Sequence, residues 1–144
     1  MLESVITFIV GLIGGVAVGV QSPLAGIMGQ RIGGAAGSFV VHISGAILSL
    51  ALLIARRGEN IGDWRALPPY MFLLGAFGLI LYLTLSHTLP RVGAGVAVTL
   101  IILGQLGAGM VIDHFGWFST ARPIDGTRII AAVLLVIGGY LMVK

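Results

Sequence analysis

The chain has no cysteine at all, and only 9% of its 144 residues are charged. The first absence excludes disulfides and thiolate metal sites. The second excludes a water-facing surface, since a soluble domain carries about 25% charged residues. No acidic side chain lies deep in any long apolar run, so a tight exchanger of lipophilic cations built on a mid-membrane carboxylate is not expected. No phosphate-binding loop, zinc-ligand spacing or nucleophile motif occurs, so the chain is not expected to be an enzyme, and no cofactor or metal is implied. The net charge of +3 is small and sits between the apolar runs, as topology signal and lipid-headgroup contact, with no nucleic-acid partner indicated.

What remains is apolar: 58% of the residues, 23 glycines, and a mean hydropathy of +1.11. That is an integral membrane protein, and glycine is commoner in membrane helices than in soluble ones. The opening MLESVITF has Glu3 in place of a basic leader, so an uncleaved first helix is expected. Charge-free stretches predict an all-α polytopic bundle forming a single transmembrane domain over 1–144. Its five helices fall at about 4–28, 35–55, 70–88, 92–113 and 128–143. The glycine-rich stretch 29–37 reads as a short turn, and Pro90 as the close of the third helix.

The fourth segment organises the rest. From Val92 to Ile112 it is uncharged for about 21 residues, enough for a helix to cross an apolar core of roughly 30 Å. Within it sits Gln105, flanked by Gly104, Gly107, Ala108 and Gly109. A buried amide needs a partner that lipid cannot supply, and small neighbours let another helix come close. In the first segment Gly11, Gly15 and Gly19 form a small-residue ridge, while Gln21 lies on another face. Ser38, His42, Gly45 and Ser49 fall on one stripe of the second helix, and Tyr82 and Ser86 share a face of the third. Trp64, Tyr70, Trp117 and Tyr140 lie near segment ends, as an aromatic belt requires.

Two readings stand open for the polar residues. Gln21 and Gln105 either bond between helices or line a solute cavity with Ser38, His42, Tyr82 and Ser86. His42 is either a neutral imidazole tied to a serine or carbonyl, or a protonatable coupling group. Asp113 either pairs with Arg122, Arg128 or His114, or serves as a gate or proton-entry point, with Arg128 a further gate or coupling candidate. An odd helix count puts the termini on opposite sides. Arg56, Arg57, Arg65, Arg122 and Arg128 then face Arg31, Arg91 and Lys144. So slight a bias permits insertion both ways.

With these residues in view, the chain resembles the YdcZ-type five-helix family of inner-membrane exporters, within the drug/metabolite transporter superfamily. The likeness rests on Gln21, Ser38-Phe39, Gly75, Val92-Gly93-Ala94, Gly104-Gln105, Ile112-Asp113-His114-Phe115-Gly116 and Arg128. The resemblance implies a bacterial inner-membrane location and a unit equivalent to half of a ten-helix inverted repeat. It implies pairing with an inverted copy, a homodimer, or with a related chain. Substrate would sit near the midplane, with alternating access around it. The last helix, with Gly138-Gly139, looks like the dimer-forming helix of small multidrug resistance proteins. The expected function is therefore export of a small polar or drug-like metabolite. The other reading is a non-transporting scaffold or a subunit of a hetero-oligomeric membrane complex.

Overall fold

The structure is a computed structural model, and it describes residues 2–118 and 120–144, apart from the side chain of Val143. Among the described residues every regular element is helical. Helix α1 spans Leu2–Ile32, α2 Gly34–Ala55, α3 Leu74–Phe115 and α4 Gly126–Val143. Two 3₁₀ turns, Ile61–Ala66 and Pro69–Leu73, lie between α2 and α3. Leu2–Ile32, Gly34–Ala55 and Pro69–Phe115 are long and apolar enough to cross a membrane, and Gly126–Met142 is a shorter apolar helix.

The expected turn at 29–37 shrinks to one residue. Gly29 to Ile32 form the last turn of α1, α2 starts at Gly34, and only Gly33 leaves the helix, at φ 90° and ψ 149°. A side chain is disfavoured at that φ, so glycine makes the corner. Its N–H bonds the Gly29 carbonyl (2.9 Å), while its own carbonyl accepts from Gly37 (2.9 Å). The corner therefore leaves few unpaired backbone groups in an apolar setting, as lipid requires.

Pro90 does not close the third helix either. The helix runs through it and breaks three residues on, at Gly93, whose φ of 79° and ψ of 167° lie outside any helix. The 47 residues of Pro69–Phe115 would reach about 70 Å as one straight rod, over twice an apolar core of about 30 Å. The break divides α3 into a first arm, 74–92, and a second arm, 94–115, each long enough to count as a span. Counting the arms separately gives the five helices expected.

Proline lacks the N–H that the carbonyl four residues earlier needs. For Pro90 that carbonyl is Ser86's, and the side-chain amide of Gln30 donates to it at 3.0 Å. The proline-made vacancy in the ladder becomes a tie between α1 and α3.

The chain divides into two compact units, 1–87 and 88–144. In the first, α1 and α2 pack together, and residues 74–87 of α3 lie along both. In the second, α4 packs against the second arm of α3. Buried apolar side chains among the described residues are Ala25, Tyr82, Leu85 and Ala97, with no large side chain fully buried. Ser22, Gly26, Gly29, Gly37 and Ser38 are buried with them, and such small residues let helices come close where lipid removes any hydrophobic reward for bringing them together.

Candidate functional site

The second unit holds a cleft of about 520 Å³ between the second arm of α3 and α4. Residues at a spacing of four, Gln105, Gly109 and Asp113, share one helix face and line it. Leu106, Met110, Ala132 and Leu135 make its wall apolar, and Arg128 stands opposite Asp113. The nearest guanidinium-to-carboxylate contact, Nη1 to Oδ2, is 3.6 Å, with the side chains 33% and 40% exposed. Gln105, Asp113 and Arg128 thus meet in one groove, which the sequence alone did not bring together.

Local structure fixes this end of the groove. Asp125 caps α4, its Oδ1 accepting from the Arg128 N–H at 2.8 Å. The Arg128 guanidinium donates to the Arg122 carbonyl (3.2 Å), and the Arg122 N–H donates to the Asp113 carbonyl (2.8 Å). The Ile124 N–H reaches His114 Nδ1 at 3.2 Å, so His114 fastens the loop. The Gln105 side chain, in contrast, is exposed and makes no hydrogen bond among the described residues. An amide left so in an apolar span is poorly placed against lipid. Toward the other end of α4, a Cβ on Gly139 would stand 2.7 Å from Leu103 and 3.2 Å from Thr99. Gly139 is therefore taken up inside the chain, while an added Cβ on Gly138 would meet nothing within 4 Å.

In the first unit Ser38, His42, Tyr82 and Ser86 come together, but as a seam, and they line neither groove. Each of the last three meets a glycine. Ser86 lies on Gly29 and Gly34, the Tyr82 hydroxyl on Gly37, and His42 Nε2 on Gly78. Tyr82 and Ser38 are only 4% and 3% exposed. His42 Nδ1 is 2.7 Å from the Ser38 carbonyl and 3.2 Å from its hydroxyl. A carbonyl can only accept, so Nδ1 is a proton donor here. The Tyr82 hydroxyl is buried without a hydrogen-bond partner among the described residues. Gln21 stands apart from this seam. It lines a second cleft, about 590 Å³, with Val16, Ala17, Leu24 and Ser44.

The glycine seats were the signal missed in the sequence. Gly29, Gly37 and Gly78 each oppose a polar side chain and Gly34 opposes Leu83 with Ser86 beside it, whereas Gly11, Gly14, Gly15 and Gly19 have nothing within 4 Å of an added Cβ.

A family model described as "Putative inner membrane exporter, YdcZ" matches residues 6–141. No curated protein and no solved structure matches the chain. The chain belongs to this family, one of inner-membrane exporters and not of enzymes.

Proposed function

We propose that this inner-membrane chain exports a small polar or drug-like solute by alternating access, as an inverted homodimer, with the groove around Gln105 as its solute site. The observation that carries this is Gln105 itself. It is an exposed amide on an apolar span, facing a cleft with a loosely joined pair of opposite charges at one end. An amide both donates and accepts, so it can hold a polar solute without adding charge to the membrane. The open ridge of Gly11, Gly15 and Gly19, with Gly138, suits close approach of a second copy. The balanced arginines allow that copy to insert the other way.

Reconstituted liposomes loaded with a mixed pool of polar metabolites and amphipathic dyes test this. Wild-type chain depletes at least one solute, and Gln105→Leu loses that depletion while still assembling. No depletion beyond that of protein-free liposomes sinks the exporter reading. Paired reporters after Lys144, one active in the cytoplasm and one outside, test the pairing. Signal from both supports inversion of self, and signal from one alone sends the search to a distinct partner chain.

A further inference from the structure

We infer that the groove binds a compact zwitterion carrying an apolar body, its anionic group on Arg128 and its ammonium on Asp113. This deepens the exporter reading and rests on the groove being its solute site.

The argument starts from the ion pair. At 3.6 Å, Arg128 and Asp113 are well outside the roughly 2.7–2.9 Å of a charge-assisted hydrogen bond. Among the described residues the Asp113 carboxylate accepts no hydrogen bond, and the Arg128 side chain makes one, to Arg122. Arginine has five N–H donors, so most of its fork is unspent. Both charges are held in place from behind, by the Asp125 cap and the Arg122 tie, and both face the cleft. The site is therefore neutral in sum, with two unsaturated and opposite ends side by side.

Charge balance selects the ligand. An amine alone would take Asp113 and strand Arg128, and a carboxylate alone would do the reverse. Either would leave a net charge at the edge of an apolar span. A zwitterion completes a ring of alternating charge and leaves the sum at zero. Its apolar part then runs along Met110, Leu106 and Ala132 toward Gln105, roughly 12 Å away at eight helical residues. Two sources share this chemistry: a free amino acid with a large apolar side chain, and the headgroup of a zwitterionic phospholipid.

The test uses the full chain purified in detergent, with radiolabelled L-phenylalanine as probe and phenethylamine and hydrocinnamate as analogues each lacking one charge. A parallel native mass spectrum, after exposure to equal phosphatidylethanolamine and phosphatidylglycerol, reads lipid retention. Saturable phenylalanine binding, with both analogues at least about tenfold weaker, supports the inference with a free solute. Selective retention of phosphatidylethanolamine, lost in both Asp113→Asn and Arg128→Gln, supports it with lipid as the source. The charge-swapped pair Asp113→Arg with Arg128→Asp restores either signal. An analogue that binds as tightly as phenylalanine overturns the inference, and so does the absence of both phenylalanine binding and selective lipid retention. Should liposomes instead export a solute that is no zwitterion, in a Gln105-dependent way, the exporter reading stands and this inference falls. Zwitterion binding with no flux of any solute does the opposite: the binding site stands and the exporter reading falls.

Discussion

The seam of the first unit and the groove of the second use polar residues in opposite ways. In 1–87, each of Ser86, Tyr82 and His42 is seated on a glycine of a neighbouring helix, apart from the cleft that Gln21 and Ser44 line. In 88–144, Gln105 and Asp113 face open volume across from small residues and one arginine. The same glycine-rich composition thus builds a closed joint in one place and a cleft in the other. What decides is whether a side chain lies opposite the glycine. Gly37 has Tyr82 above it, while Gly104, Gly107 and Gly109 have nothing within 4 Å of an added Cβ. The difference predicts a division of labour: seam changes cost stability, and groove changes cost function.

The largest effect belongs to the seam. Gly37→Ala pushes a Cβ into the Tyr82 hydroxyl and to 2.8 Å from its Cζ. Overpacking of this kind costs about 1–3 kcal/mol, so the detergent-solubilised chain should melt several degrees lower. Gly14→Ala, placed in open space, should stay within about 0.5 kcal/mol of wild type. Tyr82→Phe sharpens the contrast, because it removes a buried hydroxyl that has no partner among the described residues. It should leave stability unchanged or improved, and it should partly rescue Gly37→Ala. A Tyr82→Phe variant that melts normally but loses transport would break the comparison and move the first unit to the solute path.

Gly93 comes next. Its φ of 79° with ψ of 167° is a backbone conformation open essentially to glycine alone, and it costs an alanine about 1–3 kcal/mol. Gly93→Ala should lower the melting temperature, measured against Gly95→Ala, whose added Cβ meets only Met142 at 3.6 Å. Equal melting of the two would mean that the break at 93 carries no strain.

The helices and their apolar lengths were legible in the sequence, because charge-free runs of bilayer length have few other solutions. The exact joints were not. Pro90 reads as a stop, yet in a membrane a helix can continue past proline when another group takes the freed carbonyl. Gln30 does this from 56 residues away, a distance no local pattern encodes. Gln105, Asp113 and Arg128 were each visible as unusual, the first two by their spacing on one helix. That Arg128 closes the same cleft depends on the loop folded back over Asp113, a matter of tertiary hydrogen bonds. The stripe of Ser38 and His42 was legible as a face. Whether that face met space or glycine was not, since Gly78 lies on another helix.

The tie to Pro90 can be tested as a cycle. Gln30→Ala leaves the Ser86 carbonyl without donor and should cost about 0.6–1 kcal/mol, the scale of a membrane interhelical bond. Pro90→Ala supplies a backbone N–H to that same carbonyl. In the Pro90→Ala background, Gln30→Ala should cost close to nothing. Additive losses in the melting temperatures would show that Gln30 acts elsewhere.

The smallest stability effect, and the sharpest test of the comparison, lies in the groove. Asp113 and Arg128 are a partly exposed pair at 3.6 Å, so solvent screening leaves little between them. Asp113→Asn should shift stability by no more than about 0.5 kcal/mol, as exposed pairs generally do. Arg128→Gln removes one further bond, to the Arg122 carbonyl, and should cost slightly more. Both variants should nevertheless lose solute binding, because each removes one of the two charges facing the cleft. Added salt up to molar levels should leave wild-type melting nearly unchanged for the same reason. A drop of several degrees on Asp113→Asn would mean that the pair holds α4 to its neighbour, and the groove would then be a joint like the seam.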